Sequence, residues 1–525
     1  MTQAATMTDP DRIRELVQAR VDQEQTGRAA QDEPRGQGGR FSEQEIMDAL
    51  RQNEDGDAAL FIRLHQGRLL YDHSAGRWFT WEGHYWTLDI LDQATAAVGA
   101  VVDVFREEAQ RQSWQKYKAE KAGTSDKAKS HAAREDALLR RARDLCTARR
   151  KQAILSLARA GKDSLGDPGQ AWDGNPWLLA CPNGVVDLKT GTLRPGRPGD
   201  MIRTPCPTEY RGFDESAPVW ESFLTSVFDG DQDLVGFVQR LFGYAIAGEI
   251  KEHVLPILWG AGANGKSTLL EAVFHVLGPL AGPIQSEMLL AQNQTRSSAG
   301  PSPDIMALQG KRIVSASETD EGRKLSVARV KALTGGDTIV GRMPYGRHEV
   351  AFKPQHTIFL CTNHKPRADA DDFALWRRVL LIPFTRAFVP DPQEKHQRPV
   401  DKDLPEKLRA EASGILAWLI RGCLDWQDKG LGPPESVKAA TSEYQSGEDL
   451  IGQFFGECCL IQTNTEVKAG YLYEAYRQWC GENGHRYISG TKFGKRVKDR
   501  FDSYQNYKGV FYLGIGLIDQ NRGES

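Results

Sequence analysis

Long apolar runs are missing from this 525-residue sequence, and none approaches the ~20 residues needed to cross a bilayer. A helical membrane protein is thereby excluded. The opening MTQAATMTDPDRIREL has neither a basic start nor an apolar stretch, so no secretory export is expected. The eight cysteines include no C-x-x-C pair, which argues against a zinc ribbon and a secreted disulfide scaffold. A reducing cytoplasm is the expected setting. A strong charge of either sign is also lacking. With a formal net charge of −3 the chain is no histone-like polycation, and a nucleic-acid partner would have to be held by local basic patches.

What is present divides into several units, because a chain this long exceeds one core. Residues 1–57 are read as an acidic, disordered segment with one short helix over Asp11–Gln23. Residues 58–210 read as an α+β domain. LHQGRLLYDHSAGRWFTWEGHYWTLD alternates around Gly-containing turns and predicts a β-meander. The stretch from about Ile90 to Ala160 is helical by composition and strongly basic between Arg111 and Lys151, either as a solvated face or as a surface for phosphates. CPNGVVDLKTGTLRP predicts a hairpin.

GAGANGKS, Gly260 to Ser267, fits G-x-x-x-x-G-K-[ST], and its context supports the match. Val254–Trp259 is an apolar run suited to a buried parallel strand, and Leu269, Leu270, Val273 and Val276 follow at helical spacing. Glycines let backbone N–H groups close around phosphates at a helix N-terminus, where an anion is also favoured. The segment Gly260, Ala261, Gly262, Ala263, Asn264, Gly265, Lys266, Ser267 and Thr268 is thus the candidate site for ATP. Lys266 is placed on the β- and γ-phosphates and Ser267 on Mg²⁺. RIVSASETDE is a second strand ending in acids, with Glu318 as the preferred metal-orienting or water-polarising carboxylate and Asp320 and Glu321 as the other candidates. HTIFLCTN ends a third strand at Asn363, whose amide suits a lytic water or a γ-phosphate. WRRVLLIPF sets Arg377 and Arg378 before a fourth, where one could reach a neighbouring subunit's γ-phosphate. KALTGGDTIVGRMPYGRHEVAF predicts a hairpin tipped by Tyr345 and flanked by Arg342, Arg347 and His348, a combination that tolerates any single-stranded sequence.

The order GAGANGKST, RIVSASE, KALTGGD with its hairpin, FLCTNHKPR and WRRVLLIPF resembles superfamily 3 helicases. More narrowly it is similar to phage and plasmid primase-helicases related to the poxvirus-type helicase-primases, over about residues 60–525. The resemblance implies an α/β, AAA+-like P-loop ATPase domain over 211–400. A mixed α+β domain would precede it, with a helical lid or connector over 401–445 and a small winged-helix domain over 446–525 following. It further implies a homo-oligomeric ring, usually a hexamer, translocating 3′ to 5′ on DNA, with the central hairpin gripping the strand. Two departures stand out. Ser317 precedes Glu318 where many members have two adjacent acids, and the residues before Phe61 are too few for the polymerase-like domain of many relatives. No primer synthesis by this chain is expected, and a separate primase or polymerase is.

In the C-terminal segment, Phe493, Val497 and Phe501 recur at i, i+4 and i+8, leaving Lys492, Lys495, Arg496, Lys498 and Arg500 on the other faces. A basic helix before a β-like tail suits a DNA groove, with Lys492, Lys495 and Arg496 as contacts. The expected function is an ATP-driven DNA helicase for replication of a phage, plasmid or integrated element in a bacterial cytoplasm, acting on single-stranded and forked DNA. The competing reading is an initiator or helicase loader that melts an origin without processive unwinding.

Overall fold

The structure, a computed structural model, describes residues 41–292, 300–317, 322–344 and 349–518. The expected helix over Asp11–Gln23 lies outside the described residues.

Ser42 opens the first helix, α1 (Glu43–Arg51). Its hydroxyl accepts from the Glu45 amide while the Glu45 carboxylate accepts from the Ser42 amide, a reciprocal cap. Helix α2 (Glu54–His65) follows, and Ile46, Ala49, Leu60 and Phe61 of the pair are buried. Residues 41–57 are therefore structured, which corrects the disordered span expected over 1–57. Their acids have fixed partners: the fully buried Asp57 receives Arg141 at 2.8 Å and Arg150 at 2.6 Å.

The predicted meander is present as β1 (Leu69–Asp72), β2 (Arg77–Trp81) and β3 (Trp86–Leu88), all antiparallel, with β4 (Gly166–Asp167) added parallel to β1. Helices α3 (Gln93–Ala97), α4 (Gly99–Lys121), α5 (Ser125–Asp144) and α6 (Ala148–Ala158) occupy the basic stretch between them. Phe105, Leu138 and Ile154 from these helices share one core with α1 and α2. The CPNG hairpin is observed and gains a strand: β5 (Leu178–Cys181), β6 (Gly184–Asp187) and β7 (Thr192–Arg194) form an antiparallel sheet.

Helices α7 (Pro218–Val227) and α8 (Gln232–Ala247) lead into the central unit. Its strands are β8 (Leu255–Trp259), β9 (Ala281–Ile284), β10 (Ile313–Ser317), the hairpin β11 (Ile339–Gly341) and β12 (Val350–Phe352), then β13 (Thr357–Thr362) and β14 (Val379–Pro383). Five of these make an entirely parallel sheet in the order β14-β8-β13-β10-β9. Helix α9 (Lys266–Leu277) follows β8 and buries Leu269, Leu270, Val273 and Val276, the spacing seen in the sequence. The shorter α10 (Pro303–Met306), α11 (Val327–Thr334) and α12 (Phe373–Trp376) lie in the connections. A parallel pair, β15 (Ala387–Val389) and β16 (Gln397–Pro399), then leads to α13 (Leu404–Ala410), α14 (Ala412–Lys429) and α15 (Glu435–Glu448).

The expected connector over 401–445 is part of this core. Helix α14 buries Ile415, Trp418, Leu419 and Cys423 in the same cluster as α8 and α9, and Gln239 donates to the Trp418 carbonyl at 3.1 Å. The run over residues 415–420 is wholly apolar, and its side chains have nowhere else to go.

The C-terminal unit runs α16 (Leu450–Cys458), β17 (Cys459–Leu460), β18 (Glu466–Lys468), α17 (Ala469–Glu482), α18 (Gly490–Lys498), β19 (Ser503–Asn506), β20 (Gly509–Leu513) and β21 (Gly516–Leu517). Strands β18, β20 and β19 form an antiparallel sheet, so the tail is more than a two-stranded ribbon. Phe493 and Val497 are buried as their spacing predicts, whereas Phe501 is half-buried at the edge of the same core.

Candidate nucleotide site

A wholly parallel sheet presents the carboxyl ends of its strands along one edge, the usual place for a ligand crevice. Here Trp259 lies in register with both Thr362 and Pro383, and Ser317 with Cys361. The loop Gly260–Gly265 leaves β8 at that edge and turns into α9. Gly260 is pressed against the Phe384 carbonyl; a Cβ there would sit 2.2 Å from that oxygen. Gly265 has φ +87°, and Ala263, with no such licence from its side chain, has φ +58°. Ala261, Gly262 and Ala263 are exposed, as is Ser267 on the first turn of α9. Thr268 beside it is half-buried.

Lys266 is folded back under this loop and is 5 % exposed. Its ammonium donates to the Gly260 carbonyl at 2.7 Å, Asn264 Oδ1 at 2.9 Å and Asn363 Oδ1 at 3.1 Å, with the Ala261 carbonyl at 3.3 Å. Four oxygens share three protons, so the three short contacts use up the donors. Burial holds the Lys266 ammonium below its ordinary pKa and pushes the neighbouring Cys361 thiol up. Asn264 is itself pinned, its amide donating to the Phe384 carbonyl at 3.3 Å. The contact between Lys266 and Asn363 joins two segments nearly a hundred residues apart that sequence reasoning had singled out separately.

The paired arginines separate cleanly. Arg377 is exposed, whereas Arg378 is 7 % exposed, donates to the Ala374 carbonyl at 2.6 Å and offers its own carbonyl to the Leu255 amide at 2.7 Å. Burial, and Arg377 beside it, hold the Arg378 guanidinium below its usual range. Both precede β14, whose first residue pairs with Leu255, so they stand at the edge of the sheet opposite the loop. Five strand residues at ~3.3 Å each separate the two edges by about 16 Å.

Glu318, Asp320 and Glu321 lie outside the described residues, as do Tyr345, Arg347 and His348. The hairpin that carries the last three is formed, with Gly341 opposite Val350. Arg342 at its base is half-buried, its amide bonded to Ser302 Oγ at 3.0 Å.

The basic helix α18 departs from expectation. Lys492, though exposed, contacts Asp369 at 3.3 Å, and the part-buried Arg496 bonds Asp369 as well as Asp371 at 2.7 Å. Arg500 joins Asp371 at 2.9 Å and Asp449 at 3.0 Å. Lys495 and Lys498 remain exposed. Opposite charges separated by more than a hundred residues found one another, which the local text ADADD gave no means to pair. Lys365 was likewise passed over; its ammonium lies 4.3 Å over the Trp259 ring, at the end of β8.

Comparison with known proteins agrees with this organisation. Residues 58–229 match the family described as D5 N terminal like, and residues 446–512 match Poxvirus D5 protein-like. These matches, with the viral relatives below, support a D5-type helicase-primase family. Residues 258–378 also match a family of unknown function. A candidate helicase of Acanthamoeba polyphaga mimivirus is 30% identical over 326 residues, covering 59% of this chain and 34% of that protein. A candidate helicase of Frog virus 3 is 24% identical over 388 residues, covering 60% and 40%. A candidate primase of African swine fever virus is 22% identical over 335 residues, covering 60% and 34%. The chain thus spans between a third and two-fifths of the length of these relatives. Among solved structures, the NrS-1 C-terminal region is 17% identical with a TM-score of 0.37, covering 57% of this chain and 76% of that one.

Proposed function

We propose that this D5-type protein is an ATP-driven DNA helicase whose central sheet is an AAA+-like P-loop ATPase domain. The observation that carries the reading is the meeting of Lys266 and Asn363 at one edge of a parallel sheet, beneath a glycine loop that opens a helix. A γ-phosphate entering the loop replaces the carbonyl and amide oxygens around the ammonium, and Asn363 is then released toward the phosphate or its water. Backbone N–H groups at the start of α9 supply the remaining donors. Gly260 and Gly265 are the positions where a side chain would force the loop out of place, and the exposed Ser267 is the residue that would hold Mg²⁺. Glu318 keeps its proposed role as the acid of the next strand but one.

Oligomerisation follows from the arginines. Arg377 stands about 16 Å from its own loop, so it serves a site in the adjacent subunit of a ring, most simply a hexamer. Arg378 is tied into its own subunit. DNA passes the β11–β12 hairpin with 3′ to 5′ polarity, and the C-terminal unit acts as a winged helix that contacts the duplex. The names of the viral relatives, helicases and a primase, support the replicative setting. A phage, plasmid or integrated element in a bacterial cytoplasm is the proposed host context.

The test is unwinding of a long forked duplex of arbitrary sequence by the purified protein with ATP and Mg²⁺, beside Lys266→Ala. ATP-dependent strand release that the variant lacks supports a motor. DNA-stimulated ATP turnover without strand release would replace this reading by an origin-melting initiator or loader.

A further inference from the structure

Between the central sheet and the C-terminal unit runs a cleft lined by Lys324, Arg367, Arg486, Lys492 and Arg496, with Asp369 and Glu448 as its acids. Five cations against two carboxylates is a local excess of positive charge in a chain whose net charge is −3. We propose that this cleft is a phosphodiester-binding site, and that Asp369 and Asp371 occupy its cations in place of backbone phosphates until nucleic acid displaces them.

The geometry of the occupants supports this. The Arg496 guanidinium spans two carboxylates, one from Asp369 on a terminal nitrogen and one from Asp371 on Nε. A planar fork that accepts two oxygen-bearing anions side by side is the arrangement that also fits adjacent phosphates. Lys492, 48% exposed at its side chain, adds a point charge at the mouth. The Lys492 contact is exposed, individually weak and easily exchanged, whereas the part-buried Arg496 pairs need a second anion to take their place. A polyanion brings an advantage the loop lacks, because neutralising its phosphates releases condensed counterions.

Displacement is felt at the arginine pair. The Asp369 carbonyl accepts from Trp376 Nε1 at 2.9 Å, and Asp372 caps α12 through the Leu375 amide at 3.0 Å. Helix α12 runs directly into Arg377. Nucleic acid in the cleft therefore loosens the segment that aims Arg377, which couples DNA occupancy to ATP turnover. This coupling rests on the helicase reading, whereas the masking of the cleft does not.

The experiment measures binding of a labelled single-stranded oligonucleotide to the full chain without nucleotide, comparing the parent, Asp369→Asn with Asp371→Asn, and Lys492→Ala with Arg496→Ala. Removing the carboxylates should tighten binding about tenfold, the factor recovered when a masked state favoured ten to one is abolished. Removing the cations should weaken it below the parent. The oligonucleotide concentration giving half-maximal stimulation of ATP turnover should fall in parallel with the first change. Unchanged or weaker binding by the asparagine variant, in a protein that melts like the parent, overturns the masking. So does an absence of binding by all three proteins. If the double variant does not fold, Asp371→Asn alone is read in the same way, with tighter binding expected. Tighter binding without any ATP turnover would sustain the cleft while removing the motor, so the two readings fail separately.

Discussion

The glycines of the Gly260–Gly265 loop allow a graded test, because they differ in what a single methyl group would meet. At Gly260 a Cβ would stand 2.2 Å from the Phe384 carbonyl oxygen and 2.4 Å from Asn264 Nδ2. That carbonyl cannot move freely, since the Phe384 amide is bonded to the Trp259 carbonyl at 2.7 Å at the end of the β8–β14 pairing. Gly260→Ala therefore forces either the strand end or Asn264 aside, at a cost of about 3 kcal/mol. At Gly265 the obstacle is conformational, a φ of +87° that costs an L-residue about 1–2 kcal/mol, with Val227 Cγ2 at 2.9 Å able to yield. At Gly262 nothing lies within 4 Å and the φ is ordinary, so alanine should cost less than about 0.5 kcal/mol. Urea unfolding of the three variants gives the order directly. Saturating ATP supplies the functional readout: at a hundred times its Kd a bound ligand adds about 2.7 kcal/mol of stability. Gly260→Ala and Gly265→Ala should lose that increment because the displaced loop no longer presents its amides and Lys266 together, while Gly262→Ala remains as stable as the parent. Equal stability of Gly260→Ala and Gly262→Ala would refute the packing argument.

Other consequences are equally open to measurement. Arg377→Ala should fold like the parent and bind ATP but lose turnover, whereas Arg378→Ala should lower stability by about 1–3 kcal/mol by deleting a buried hydrogen-bonded guanidinium; equal stabilities of the two in urea would reverse the assignment. Asp57→Ala leaves Arg141 buried against uncompensated charge and should cost about 3–5 kcal/mol in denaturant titration, against almost nothing if residues 41–57 were a solvated tail. Burial holds the His356 imidazole at about 4, so the unfolded chain, near 6.5, takes up the proton first. Its contribution is therefore complete above about pH 6.5 and falls away as pH drops toward 4, by about 3 kcal/mol in all. His356→Leu should flatten the melting temperature across that window, and an unchanged slope would exclude this imidazole as its source.

Much of the fold was legible where the signal is local. The β8–loop–α9 unit follows from an apolar run, spaced glycines and a 3.6-residue period; the CPNG hairpin follows from its turn residues. The limits are equally physical. Strand order in a parallel sheet is set by connections of dozens of residues, so the meeting of Lys266 with Asn363 had to be observed. The two arginines are adjacent letters with the same propensity, and only the start of β14 turns one inward and leaves the other out. Residues 41–57 misled because acids at high density resemble a solvated segment, while Glu45 is in fact a cap and Asp57 a buried counter-ion. The basic helix misled in the opposite sense. Its amphipathic pattern correctly placed Phe493 and Val497 inside, but no pattern within one helix can reveal that another segment pairs Lys492, Arg496 and Arg500 and leaves Lys495 and Lys498 exposed.

A single stretch, from β13 through β14, ties these observations together. It leaves the loop edge of the sheet at Asn363, whose amide holds Lys266, and arrives at the opposite edge at Arg378, whose carbonyl begins the pairing of β14 with β8. Between those ends it must run back from one edge of the sheet to the other, and Asp369, Asp371 and Asp372 lie on the crossing. The crossing is anchored along its length: the Pro366 carbonyl to the Tyr444 hydroxyl, the Arg367 amide and carbonyl to Arg323 and Leu325, the Ala368 amide to Glu448 at 2.8 Å, the Ala370 carbonyl to Gln445 at 3.1 Å, and the Asp369 and Asp371 carboxylates to α18. Burial raises the Glu448 carboxyl pKa, so that anchor weakens further on acidification as its acceptor is neutralised. A displacement at either end is passed through this bonded stretch toward the other. Motion of Asn363 on phosphate entry and motion of Asp369 on release of α18 therefore act on the same short lever. This is why the state of the loop and the position of the C-terminal unit should be read in one experiment rather than two.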